Sequence, residues 1–125
     1  MLPENGKPVL ELVMYSRMMP CPFVSLARRV LAHHSVPYRE LYIDQDQKAE
    51  QRVLEWTGFL SVPTLILAQS GEELPWTQPS PLAPNASPRG IDRGSMITEP
   101  DEEQLLEWLR HAGLLSTPSS QLEQQ

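Results

Sequence analysis

The strongest constraint on the fold is an alternation of segments between residues 9 and 67. Val9-Leu10-Glu11-Leu12-Val13-Met14-Tyr15 is nearly continuous in apolar residues and rich in strand formers. That is the mark of a central strand covered on both faces. After a short loop, Ser16 to Pro20, Pro22 suits a first helical position, where its missing N–H costs nothing. Phe23, Leu26, Ala27, Val30 and Leu31 then recur at helical spacing, with Arg28 and Arg29 on the far side. This helix is expected to end near His34, because Pro37 disfavours helix in the β-branched Val36. Tyr38 to Ile43 reads as a second strand, and Asp44 or Asp46 as the cap of a second helix. Ala49, Val53, Leu54 and Trp56 mark the buried side of that helix, and Gly58 suits its stop. Val62-Pro63-Thr64-Leu65-Ile66-Leu67 gives a third strand opened by a proline. Strand, helix, strand, helix, strand is the order of an α/β layer with parallel strands.

Beyond this stretch the chain changes character. Five of its thirteen prolines, Pro75, Pro79, Pro81, Pro84 and Pro88, fall between Gln69 and Gly94. Little apolar periodicity accompanies them, so residues 69–94 are expected to form a long loop with Trp76 as its large apolar anchor. Loops of this length inside a domain are commonly functional, partner-binding or mobile. Asn85-Ala86-Ser87 matches the glycosylation triplet but is followed by Pro88. A final helix opens at Thr98-Glu99-Pro100-Asp101-Glu102-Glu103, which supplies a cap candidate, a first-turn proline and acids at a positive helix terminus. These acids read as a solvated helix start and not as a metal site. Leu105, Leu106, Leu109 and Ala112 form the apolar side of this helix, and Gly113 ends it. Residues 1–115 are expected to form a single domain and residues 116–125 a polar tail.

Composition excludes several functions. Sixteen acids against ten bases give a net charge of −6, which argues against a nucleic-acid or anionic-membrane surface. No apolar run approaches the roughly 18 residues of a membrane span. Pro3 and Glu4 stand where a secretion signal would be basic and then apolar, so a cytoplasmic location is expected. His33, His34 and His111 find no second cysteine to complete a zinc set. Trp56 and Trp108 read as core or half-core residues.

The one cysteine, Cys21, falls where a buried strand hands over to a helix N-terminus. A lone cysteine is commonly an inert buried hydrophobe. A helix N-terminus, however, favours the reactive thiolate by presenting free N–H groups and a positive dipole end. Arg17, on the same loop, adds a positive charge. Strand ends in open α/β sheets are also where such folds place their sites.

Tyr15-Ser16-Arg17, Pro20-Cys21-Pro22-Phe23 and Leu26-Ala27-Arg28-Arg29-Val30-Leu31 together resemble the active-site strand, loop and helix of the glutaredoxins. Ser61-Val62-Pro63-Thr64 resembles that family's Thr-Val-Pro segment, whose proline is cis and faces the cysteine. The resemblance covers roughly Pro8 to Ala68 and, more loosely, the last helix. It implies a thioredoxin-like β-α-β-α-β-β-α fold, a mixed four-stranded sheet flanked by helices. The proline-rich insertion would precede the last helix, and the fourth strand would fall somewhere between Leu67 and Thr98.

The resemblance also implies a chemistry. Val24 stands where the family's second redox cysteine would be, which leaves one-sulfur exchange: Cys21 acting on mixed disulfides of glutathione or a similar small thiol. Arg17 would hold the glycine carboxylate, and the backbone of Val62 ahead of Pro63 would pair with the peptide. Pro22 and Phe23 complete the near surface, Phe23 mainly as packing. The loop before Cys21 is one residue longer than the common spacing. The family's Gly-Gly-x-Asp/Ser-Asp segment, which holds the γ-glutamyl end, is not intact; Arg93-Gly94-Ser95, followed by the Asp101 helix start, is the nearest candidate. No tightly bound cofactor is expected; glutathione or an equivalent thiol serves as cosubstrate. Small thiols and glutathionylated proteins are the expected partners. Two alternatives accompany this reading. One is a glutathione-dependent [2Fe–2S] carrier built from two chains, although Pro22 and Val24 replace the Gly and Ser of the cluster-binding members. The other is a non-catalytic domain that binds a protein partner through residues 69–94.

Overall fold

Strand β1 (Leu10–Ser16) is buried through most of its length, as its unbroken apolar run requires. The computed structural model describes residues 9–115; the expectations placed on Pro3, Glu4 and the tail at 116–125 lie outside the described residues. Helix α1 (Pro22–His33) follows, with Pro22 in its first turn. Then come β2 (Arg39–Tyr42), α2 (Gln47–Thr57), β3 (Thr64–Gln69), β4 (Met96–Thr98) and α3 (Glu102–His111).

The four strands form one sheet in the order β2-β1-β3-β4. β1 and β2 run parallel, whereas β3 is antiparallel to β1 and β4 antiparallel to β3. This is the mixed four-stranded sheet that the resemblance implies, in place of the parallel layer that segment order alone suggested. Segment order does not encode direction: the loop after α2 delivers Pro63 beside Cys21, so β3 starts at the edge where β1 ends. Leu12 and Met14 pack with Leu65, Leu67 and Ile97 beneath α1 and α3. Val13 and Tyr15 pack with Ile66, Ala68 and Met96 against α2 on the other face. Alternate residues of one strand thus feed two cores.

Several local expectations need correction. Leu54 is 49% exposed; the buried face of α2 runs through Ala49, Val53 and Thr57 at four-residue steps, and Leu54 lies a helical step off it. Asp46 caps α2 by accepting from Lys48 N–H at 2.9 Å and Ala49 N–H at 3.4 Å. Pro100 does not enter the first turn of α3. Asp101 takes the cap, its carboxylate accepting from Gln104 N–H while Gln104 Oε1 accepts from Asp101 N–H, both at 2.8 Å. Thr98, a cap candidate, ends β4 and shares a hydroxyl hydrogen bond with Thr64. Trp108 is fully buried and donates to Gly94 O at 3.0 Å.

The chain from Ser70 to Ser95 holds no helix or strand, only an isolated bridge between Arg89 and Thr98. Its anchors are polar, and the expected anchor Trp76 is 40% exposed. The Tyr15 hydroxyl donates to the Glu73 carbonyl; burial pushes that phenol up from its ordinary value, which keeps it a neutral donor. Arg52 of α2 pairs with Glu73 at 2.9 Å. Arg93 is buried, donating at 2.7 Å both to Ser80 O within the insertion and to Trp56 O near the end of α2. Desolvation lowers its affinity for the proton. The partial negative charge of a helix C-terminus suits a guanidinium.

Candidate active site

The strand order brings three chain ends to one edge of the sheet: the end of β1, the start of β3 and the end of β4. Cys21 stands there as the N-cap of α1, with extended backbone angles of −151° and 123° and no side-chain capping bond. Its sulfur is therefore not engaged by its own helix. It lies half-buried, 3.9 Å from the Val62 carbonyl oxygen. The Val62–Pro63 peptide bond is cis. Val62 itself is buried.

Val24, three residues into the helix from Cys21, points away from the surface and packs beside Val13, Val53 and Val62. The position that lacks a second sulfur is thus a packing position in this chain. Pro22 is exposed beside the sulfur.

Arg17 donates through Nη2 to Leu60 O at 3.3 Å, tying the loop before Cys21 to the loop before Pro63. Its Nε is buried without a partner among the described residues. The Met18-Met19 stretch, where the loop is long, is held from below. Asp44 Oδ2 accepts from Met18 N–H at 3.0 Å and from Met19 N–H at 3.4 Å. Sequence reasoning weighed Asp44 only as a helix cap and missed this role. Met18 and Met19, in the loop before Cys21, and Phe59 and Leu60, in the loop before Pro63, are exposed.

Upstream, Ser16 is fully buried, and its hydroxyl donates to Glu40 Oε2 at 2.6 Å. The same oxygen accepts from Arg28 Nε and Nη2 at 3.0 and 2.5 Å. One carboxylate therefore joins β1, α1 and β2 just below the cysteine loop.

Ser95 is not brought to this site. β4 runs antiparallel to β3, so its start lies away from Pro63, and Ser95 is buried with its hydroxyl on Thr77 O at 2.8 Å. The segment beside Pro63 is the far end of β4: Thr98 pairs with Thr64, and Glu99 N–H donates to Pro63 O at 2.8 Å. Arg89, from the insertion, also arrives here. Its guanidinium lies 5.3 Å from the centre of the Phe23 ring, and its Nε donates to Glu99 Oε1 at 2.8 Å. Phe23 is thus covered by a cation as well as packed. Arg89 and Arg93 are the basic residues of an otherwise proline-rich, polar stretch, and that contrast is the signal that could have marked them.

The glutaredoxin family model matches residues 12–70. Residues 12–70 are a glutaredoxin-like segment, and the sheet they build is thioredoxin-like. No curated protein matches the chain. The matched stretch runs from β1 through β3 and holds Arg17, Cys21 and Pro63. The rest of the chain, with Arg89, Ser95 and α3, lies outside the match. Among the described residues no helix is long and apolar enough to cross a membrane.

Proposed function

We propose that the protein is a monothiol thiol–disulfide oxidoreductase that acts through Cys21 on mixed disulfides of glutathione or a similar small thiol. The observation that carries this reading is the placement of the sulfur: accessible at the positive end of α1, free of capping bonds, and beside the Val62 carbonyl. The Cys21 thiolate attacks the glutathione sulfur of a mixed disulfide R–S–S–G. A Cys21–S–S–G bond forms, the R–S bond breaks, and the substrate leaves as a thiolate that takes a proton from water. A second glutathione thiolate then attacks the glutathione sulfur, releasing glutathione disulfide and restoring the Cys21 thiolate. Each step exchanges one S–S bond for another, and the net reaction turns one mixed disulfide and one glutathione thiol into the substrate thiol and glutathione disulfide. One protein sulfur suffices, so the reading needs no resident cofactor.

Arg17 would hold a carboxylate of the thiol peptide, and the Val62 backbone would add the peptide as an extra strand. The Val62 N–H has no hydrogen-bond partner among the described residues, which leaves it open for such pairing. Glutathionylated proteins are the natural larger substrates, and a reducing, cytoplasmic setting follows from the same chemistry.

Turnover of a glutathione mixed disulfide of cysteine, coupled to glutathione reductase, tests the reading. Activity is expected in the native chain and is expected to vanish in Cys21→Ser. Equal activity in both, or none in the native chain, overturns it.

A further inference from the structure

Arg93 is a buried cation without an anion. It is 8% exposed, and its guanidinium meets neutral acceptors. Nε donates to Ser80 O and Nη1 to Trp56 O, both at 2.7 Å, with Met96 Sδ 3.5 Å from Nη1. No carboxylate pairs with it among the described residues, and no acid offsets the effect of burial on its proton affinity. The carboxylate of its neighbour Asp92 is occupied by Gly94 N–H and His111 Nδ1. Burial of a charge with no ionic partner is costly. The carbonyl end of α2 supplies about half a negative charge, so roughly half of the cation is left unmatched. Nη2 makes no hydrogen bond among the described residues, yet it is not sealed in as the unpaired Nε atoms of Arg17 and Arg110 are.

Arg93 lines a cleft of about 740 Å³ between the end of α2 and the insertion. The other walls are largely apolar: Trp56 and Phe59 come from the α2 side, and Pro81, Leu82 and Ala83 from the insertion. Apolar walls around a charged group, at this volume, are the usual make-up of a small-molecule site. Glu55, the acid among the lining residues, is exposed. A second cleft that Arg93 borders, beside Thr77, Ser80 and Ser95, has the more polar lining.

We infer that the cleft between α2 and the insertion binds a small monocarboxylic acid with an apolar body. The carboxylate accepts from Arg93 Nη2, and the body lies against Phe59, Pro81 and Leu82. The charge left over on Arg93 matches one negative charge and not the roughly two of a phosphate. The net charge of −6 weighs further against a dianion. Neither Cys21 nor Arg17, Val62 or Pro63 lines this cleft, so the inference stands apart from the thiol chemistry.

The test is calorimetric binding of 4-phenylbutyrate, its primary amide and inorganic phosphate to the full chain. The acid is expected to bind about tenfold more tightly than the amide, as one charge-assisted contact implies. Phosphate is expected to bind at least as weakly as the amide. Ala83→Trp puts a large ring into the cleft from an exposed position and is expected to abolish binding of the acid. Arg93→Met is expected to remove the preference for acid over amide. A native chain that binds acid and amide equally, binds no acid, or binds phosphate as tightly as the acid overturns the inference. So does an Ala83→Trp variant that binds the acid as the native chain does, or an Arg93→Met variant that keeps the preference.

Discussion

His111 Nδ1 stands 2.9 Å from Asp92 Oδ2, a contact that joins the last turn of α3 to the insertion. Its Nε2 lies 3.1 Å from Glu107 Oε2 on the same helix. The hydrogen bond to Asp92, with the nearby charge of Glu107, holds the imidazole above its ordinary value. The stabilisation therefore belongs to the protonated ring. It is complete below the unfolded value of about 6.5 and is lost as pH rises through the higher folded value. The thermal midpoint of the native chain is expected to fall, relative to His111→Gln, as pH is raised from about 6 to about 8. Parallel midpoint–pH curves for the two proteins would remove His111 from this role.

Arg93 is the main polar anchor of the insertion. In Arg93→Met the volume is largely kept, but Trp56 O and Ser80 O lose their donor. Ser80 is exposed and its carbonyl can turn to water, whereas Trp56 is half-buried; one unpaired carbonyl costs about 1–3 kcal/mol, and an unfolding free energy lower by about that much is expected by urea titration. Amide exchange at Ser80, whose N–H donates to Arg93 O, should quicken more than exchange in β1. A loss below about 0.5 kcal/mol, the usual range for surface changes, would show that the anchor is elsewhere.

Glu40 holds the cysteine loop from beneath. Glu40→Ala strands the Ser16 hydroxyl in a fully buried position, and a loss of about 1–3 kcal/mol is expected. Most of this is the orphaned hydroxyl, because Arg28 is 40% exposed and an ion pair at that exposure is worth little. Glu40→Gln keeps an acceptor and should recover more than half of the loss. Equal urea midpoints for Ala and Gln variants would show that charge, not hydrogen bonding, is what matters there.

Gly90 has a φ of +73°, and a Cβ there would meet the Gln104 side chain at 2.5 Å. Gly90→Ala therefore strains the left-handed residue by about 1–2 kcal/mol and pushes Gln104 out of its cap. A variant with a native urea midpoint would contradict this geometry.

The elements with long, strongly periodic patterns were legible in the sequence. α1 showed its first-turn proline and its apolar face, and β1 showed an unbroken run. β4 was not, because three residues after a proline-rich loop carry no readable alternation; pairing with β3 makes Met96–Thr98 a strand. The site divides the same way. Cys21 and Pro63 stood out through local chemistry, since a helix terminus and an X-Pro step are visible in a few residues. Arg89 and Asp44 act across the chain, and Ser95 was misplaced because strand direction decides which end of β4 reaches Pro63. Trp76 was overrated for a related reason: its size suggested an anchor, while polar contacts carry the attachment.

Residues 89–95 touch all three helices: Phe23 of α1 through Arg89, Trp56 of α2 through Arg93, and α3 through Asp92 and Gly94. The tip at residues 83–87 is built differently, largely exposed and closed on itself by the bond from Ala86 N–H to Ala83 O. The insertion therefore has a stitched hem and an open crest. For anyone modifying the chain, the crest is the place to splice in a reporter or a protease site. The hem sets the limit of trimming, because a deletion that runs from Arg89 through Arg93 would unfasten helices on both faces of the sheet at once.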